Sequence, residues 1–329
     1  MKTEPDTRKI SAIPTVEPTT QAFLDQLAAA GGPPLYEMTP ADARAVLRNV
    51  QSSVAFKVLP TDVEDRVIKG GPTGEVSIRI VRPQGLTGLL PAVVYSHGGG
   101  WILGDKETHL RLIQELAVGA CAVVVFTDYT NAPEAQYPVQ NEQAYTTLEW
   151  VAQHGEEVGV DTSRVAVAGE SVGGNMTAAL TLMAKERKGP EIIAQLIMYP
   201  VTDADLNTES YLTYADGPWL TREAMRWFWD AYLPDVSRRS EPTASPLNAT
   251  LEQLSGLPPA LIVTDENDVL RDEGEAYAHK LAQAGVSVMS ERYLGTIHDF
   301  ALLNPIAGAP AGRAIIEQAT TFLRDAFAR

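Results

Sequence analysis

The stretch Val165-Ala166-Val167-Ala168-Gly169-Glu170-Ser171-Val172-Gly173-Gly174-Asn175 constrains the fold of this chain more than any other. It starts as a run of β-branched and small apolar residues and passes through Gly-x-Ser-x-Gly. It continues as Met176–Ala184, which reads as a helix. Strand, sharp turn and helix in that order are what a nucleophile elbow requires, with a serine held in a strained conformation at the top of a sheet. Glycines two residues to either side keep side chains out of the crowded turn. Gly-x-Ser-x-Gly by itself is a weak pattern that also arises by chance, so its weight comes from the flanks.

The elbow needs a parallel sheet around it, and the chain supplies one. Pro91–Ser96, Cys121–Phe126, Arg164–Ala168, Glu191–Met198, Ala260–Thr264 and Val286–Tyr293 read as strands. Helices are expected near Thr108–Gly119, from Tyr137-Pro138 through Val151, over Asp272–Ala284 and over Ala311–Phe327. Strands alternating with helices imply a mostly parallel, doubly covered α/β sheet. Asp65–Ile68 and Glu75–Val81 read as early antiparallel strands. Before them, Thr20 suits the cap of a helix over Gln21–Ala30, and Thr39-Pro40 suits the start of a second. Residues 1–20 read as an extended lead-in. No clear strand appears between Thr202 and Pro258. Three of the chain's five tryptophans (Trp219, Trp227 and Trp229) lie there, which suggests a helical excursion from the sheet. The expected organisation is two N-terminal helices over 1–55 laid as a lid over the later core, a first core segment over 56–201, a helical insert over 202–258, and a second core segment over 259–329.

Composition excludes several classes. The 329 residues carry 26 basic and 42 acidic side chains, a net charge of −16. That is the wrong sign for a nucleic-acid surface and mildly disfavours anionic substrates. The single cysteine, Cys121, sits in an apolar run and reads as a small core residue with no intrachain disulfide to make. No apolar run approaches the length of a membrane span, and no secretory signal is visible at the N-terminus, so a reduced cytoplasmic setting is expected.

The chemistry a serine nucleophile needs then selects among few residues. On an elbow of this kind the order is serine, acid, histidine. Only His279 and His298 of the five histidines follow Ser171. His279 lies mid-helix beside Lys280 and reads as a surface residue. His298 lies in the loop after a strand, where catalytic groups converge in open parallel sheets. The acid should follow the strand Ala260–Thr264, where Asp268, Asp265 and Glu266 compete; Asp272 and Glu273 read as first-turn helix residues. The triplet Gly98-Gly99-Gly100 after the strand ending at Ser96 is placed to offer backbone N–H groups to an oxyanion, together with Val172 N–H. His97 precedes the nucleophile and reads as a brace for that loop. Trp101, Glu170, Trp219 and Trp227 are candidate substrate-pocket residues. Nothing reads as a metal or cofactor site: no histidine pair has ligand spacing and no phosphate-cradling loop occurs.

Four motifs together carry a family resemblance: His97-Gly98-Gly99-Gly100-Trp101, Gly169–Asn175, Asp268-Val269-Leu270-Arg271-Asp272-Glu273-Gly274 and Gly295-Thr296-Ile297-His298-Asp299-Phe300. Asp128-Tyr129-Thr130-Asn131-Ala132-Pro133-Glu134 with Tyr137-Pro138, and Ser245-Pro246-Leu247, add to it. The chain resembles the hormone-sensitive-lipase-like esterases, the bacterial family IV carboxylesterases of the α/β-hydrolase fold. The resemblance implies Asp268 as the acid, a cap formed by the N-terminal helices and the insert, a small-molecule ester as substrate, and a homodimer, which family members often form. The expected activity is hydrolysis of short- to medium-chain carboxylic esters through an acyl-enzyme on Ser171. Amide, lactone or carbamate hydrolysis on the same triad, an elimination reaction, and a non-catalytic small-molecule receptor are the competing readings. The sequence departs from the family pattern at Glu170 and Val172, which flank the nucleophile, at Val269 after the acid, and at Thr130-Asn131.

Overall fold

The computed structural model describes residues 15–329, so most of the lead-in expected over residues 1–20 lies outside the described residues. Eight strands form one sheet in the order β1-β2-β4-β3-β5-β6-β7-β8. They are β1 (Thr61–Lys69), β2 (Glu75–Pro83), β3 (Leu90–Ser96), β4 (Val123–Asp128), β5 (Val160–Glu170), β6 (Ala194–Met198), β7 (Ala260–Asn267) and β8 (Val288–Ile297). From β3 onward the strands run parallel to one another, while β1 and β2 pair antiparallel at one edge. β3 and β6 are buried along their whole length, as continuous apolar strands covered by helices on both faces must be.

The covering helices are α3 (Leu110–Ala120), α4 (Val139–His154), α5 (Val172–Arg187), α9 (Arg271–Gln283) and α10 (Pro310–Phe327). α5 is apolar or small nearly all round because it lies in the middle of the sheet's cover, and Val172 through Ala184 are buried without a gap. Two helices precede the sheet, α1 (Pro18–Ala30) and α2 (Pro40–Ser52). Thr39 Oγ1 caps α2 by accepting from Asp42 N–H, with Pro40 in the first turn, as its sequence predicts. α1 begins three residues earlier than expected, because the Glu17 carboxylate, not Thr20, accepts the free N–H of the first turn.

Cys121 is not the core residue its apolar neighbours suggest. It closes α3 in the left-handed conformation (φ 52°) and is exposed, and β4 begins only at Val123. The chain must reverse between helix and strand there, and the first residues of the apolar run make that turn.

Residues 202–258 hold three α-helices, α6 (Glu209–Thr213), α7 (Arg222–Tyr232) and α8 (Leu251–Leu254), two short 3-10 turns and no strand. The first turn of α9 anchors their start. Glu273 Oε1 accepts from Thr202 N–H at 2.6 Å, and Asp272 Oδ2 accepts from Ser210 N–H at 2.7 Å. α7 is strongly amphipathic, burying Ala224, Met225, Phe228, Trp229 and Tyr232. Trp101 stacks on Tyr232 with centroids 3.8 Å apart and meets Trp229 at 4.9 Å. Phe23 of α1 packs on Trp219 at 5.7 Å, so the N-terminal helices and the insert meet above the sheet.

Candidate active site

The elbow is built as its glycines demand. Ser171 sits between β5 and α5 at φ 56°, ψ −124°, outside the regions that L-residues favour. A Cβ on Gly173 would lie 2.1 Å from the Ser96 carbonyl oxygen, and one on Gly169 would lie 2.3 Å from that of Gly173. Neither position tolerates a side chain, so the weak-looking pattern is a steric requirement of the turn.

The loops after β5, β7 and β8 converge on one point. His298 Nε2 lies 2.9 Å from Ser171 Oγ, and His298 Nδ1 lies 2.8 Å from Asp268 Oδ2. All three residues are buried. Asp268 Oδ1 accepts from Leu270 N–H at 3.0 Å, which fixes the carboxylate. The other two acids of that loop lie elsewhere. Glu266 accepts from Gly295 N–H at 2.7 Å and braces the histidine loop. Asp265 is fully buried with neither oxygen hydrogen-bonded among the described residues, and burial, then the charges of Asp268 and Asp299, push its carboxyl well above the usual range. His279 is exposed on α9.

His298 is subject to opposing influences. Burial pulls its pKa down, but the carboxylates of Asp268 and Asp299 outweigh this and hold it up at about 9. His97 is different: burial pushes it down to about 3, so it is a neutral ring, and Nδ1 lies 2.8 Å from the Gly98 carbonyl. It stacks on Tyr129 at 4.0 Å, so the Asp128–Glu134 segment supports the glycine loop from below.

That loop does not present all three glycines alike. Gly98 N–H donates to Glu170 Oε1 and is therefore engaged. Gly99 (φ 101°) and Gly100 (φ 63°) line the cavity, and among the described residues neither their N–H groups nor that of Val172 has a partner. A Cβ on Gly100 would lie 2.2 Å from the Phe228 ring, so the insert presses directly on this loop. Arg44 of α2 holds the far end, donating to the Ile102 carbonyl at 2.8 Å and the Ala132 carbonyl at 3.0 Å while paired with Glu134.

The pocket residues divide. Ser171, His298, Gly99 and Gly100 open into a cavity of about 550 Å³, roofed by Leu27, Val46 and Leu47 on one side and by Trp219, Met225 and Phe228 on the other. Trp219 lines it. Trp101 does not: it is fully buried against α7. Trp227 is half-buried and is not among the residues that line the cavity, whereas the next residue, Phe228, is. Glu170 lies beneath the elbow, fully buried, accepting from Tyr95 Oη and Gly98 N–H and lying 2.8 Å from His109 Nε2. Tyr95 and His109 are the partners sequence reasoning missed. They stand 75 and 61 positions from Glu170, and only the pairing of β3 with β5 and the start of α3 bring them together.

Asp265, Asp268 and His298 are the grouping, among the described residues, whose ligand atoms lie close enough (within 4.8 Å) to hold a metal. Asp268 and His298 are already engaged with each other there.

Comparison with known proteins places this geometry among esterases. The family described as alpha/beta hydrolase fold matches residues 93–302. Carboxylesterase NlhH of Mycobacterium tuberculosis is 38% identical over 316 residues, covering 92% of this chain and 95% of that protein. The carboxylic ester hydrolase LipN of the same organism is 39% identical over 276 residues, 82% of this chain and 72% of that protein. A thermostable esterase from Pseudomonas putida ECU1011, solved by crystallography, has a TM-score of 0.94 at 51% identity. That match covers 96% of this chain and 99% of the other.

Proposed function

Because the chain belongs to the alpha/beta-hydrolase family, and within it to the hormone-sensitive-lipase-like carboxylesterases, we propose that Ser171, His298 and Asp268 act together as its nucleophile, base and acid. The protein is a carboxylic ester hydrolase. The observation that carries the finer reading is the chain of contacts from Ser171 Oγ through His298 to Asp268, opening on a cavity of about 550 Å³. Neutral His298 accepts the Oγ proton as Oγ attacks the ester carbonyl, and returns it to the leaving alcohol. Asp268 keeps the ring in the tautomer that leaves Nε2 free and stabilises the imidazolium. Gly99, Gly100 and Val172 N–H groups receive the oxyanion; Gly98 does not, since Glu170 already holds its N–H.

The substrate is a neutral ester of short to medium acyl chain, which suits a half-open cavity of this size lined mainly by apolar side chains. A homodimer is supported by the open edge of β8, where Met289 and Leu294 are exposed. A cytoplasmic setting is supported by the lone exposed thiol of Cys121. No helix among the described residues is long and apolar enough to cross a membrane.

The test is hydrolysis of 4-nitrophenyl esters of graded acyl length, beside matched amide, lactone and carbamate substrates, by the wild type and Ser171→Ala. The proposal expects the short and medium esters to turn over fastest and Ser171→Ala to fall to the uncatalysed background with its circular dichroism unchanged. Retained ester turnover in a folded Ser171→Ala variant contradicts it.

A further inference from the structure

The residue after the base has no part in the triad, yet its side chain enters the same cavity. Asp299 is buried and lines the cavity. Its backbone is left-handed (φ 67°), a conformation that an L-residue other than asparagine or aspartate rarely holds. Trp219 Nε1–H donates to Asp299 Oδ2 at 3.1 Å and so fixes the plane of the carboxylate. The other oxygen, Oδ1, has no hydrogen-bond partner among the described residues. It lies 3.6 Å from His298 Nε2, the same atom that stands 2.9 Å from Ser171 Oγ. A buried carboxylate oxygen left without a donor is costly, so something that donates a hydrogen belongs there during the reaction cycle.

The second half of ester hydrolysis supplies such a group. Once Ser171 is acylated, its Oγ no longer hydrogen-bonds Nε2 as a hydroxyl, and a water must take that place to be activated. A water donating one hydrogen to Nε2 reaches Asp299 Oδ1 with the other. Resting on the assignment of the triad above, we infer that Asp299 orients the hydrolytic water of deacylation, holding its second hydrogen while His298 takes the first. The water oxygen forms a bond to the acyl carbon, and its proton passes to Nε2. The tetrahedral intermediate then collapses, the bond from carbon to Oγ breaks, and the proton on Nε2 goes to Oγ. Asp299 gains no proton; it fixes the direction of the attacking lone pair. An attacking alcohol has one hydrogen, so it makes no use of Oδ1.

Asparagine is the informative replacement. Its amide oxygen must face the Trp219 N–H, which turns the NH₂ toward Nε2 and removes the acceptor. The experiment is stopped-flow hydrolysis of 4-nitrophenyl acetate by the wild type and Asp299→Asn, each on the plateau of its own pH profile, with and without methanol. The acylation burst should stay within about threefold of wild type while deacylation slows by about tenfold or more. The ratio of methyl acetate to acetate formed should rise by at least about threefold, because methanolysis loses nothing. Trp219→Phe, which keeps the ring but frees the carboxylate to rotate, should move both readouts the same way by a smaller factor, and it stands in if Asp299→Asn does not fold. Equal loss of acylation and deacylation, an unchanged partition ratio, or a shifted pH limb with no change in the split overturns the inference. A fluorophosphonate probe separates the two levels. No labelling of Ser171 in the wild type removes the triad itself, whereas normal labelling with unchanged deacylation removes only the role of Asp299.

Discussion

At His298, burial and charge pull in opposite directions and charge wins. An ordinary imidazole at about 6.5 would leave the base free at neutral pH. Here burial lowers the value, but Asp268 and Asp299 raise it more, to about 9. A raised pKa means that the ring is protonated, and unable to accept a proton, below that value. Activity is therefore expected to climb with pH through about 9, with kcat/KM at pH 9 exceeding that at pH 7 by roughly tenfold or more. A pH profile already level from pH 7 speaks against this account of the site. Asp268→Asn removes the main charge holding the ring up, and should both move the limb to lower pH and reduce kcat by roughly 10³–10⁴-fold through loss of the correct tautomer. Gly100→Ala tests the oxyanion loop. A methyl group cannot fit 2.2 Å from the Phe228 ring, so either the loop or α7 must shift, and kcat should fall by about 10²–10³-fold in a steady-state assay.

The strand–turn–helix element around the elbow is both the clearest signal in the sequence and the most demanding piece of the structure. Gly173→Ala places a methyl 2.1 Å from the Ser96 carbonyl, where backbone rather than a mobile side chain must give way. It should destabilise the fold by at least about 3 kcal/mol, measured by denaturant unfolding. Glu170→Ala leaves Gly98 N–H, Tyr95 Oη and His109 Nε2 without their shared partner under the elbow, and a melting temperature lower by several degrees is expected, with kcat falling more than KM changes. An unchanged melting temperature and kcat in that variant would mean that the network braces nothing. Such elements explain what was legible. Contiguous features could be read directly: the elbow, the covered strands and the N-cap of α2. Features fixed by which way a side chain points could not. Trp227 and Phe228 are neighbours, yet of the two only Phe228 lines the cavity, and Trp101 packs against Tyr232. Glu170 adjoins the nucleophile in sequence, yet it is buried beneath the elbow and does not line the cavity. A residue next to an elbow serine on the strand side points down into the sheet, where residues from β3 and α3 meet it.

For the whole molecule, the fold brings together segments near residues 98, 171, 268 and 298 beneath two helical pieces drawn from opposite parts of the chain. The charge is spread unevenly with respect to that site. The net charge is −16, and among the described residues no lysine or arginine lines the cavity, whereas Asp216, Glu223 and Asp299 do. An ester carrying a carboxylate on its acyl chain should therefore react more slowly than its neutral isostere. The gap in kcat/KM should narrow as salt is raised from about 0.01 M to about 0.5 M, because screening shortens the reach of the surface field. Equal rates for the two at low salt would show that the field does not reach the reaction. All of this presupposes a covalent acyl-enzyme on one serine. Intact-mass analysis after reaction with a fluorophosphonate, followed by peptide mapping, addresses it directly. The expected result is one adduct per chain, located on Ser171 and absent from Ser171→Ala; an unmodified wild type, or an adduct that persists in Ser171→Ala, contradicts it.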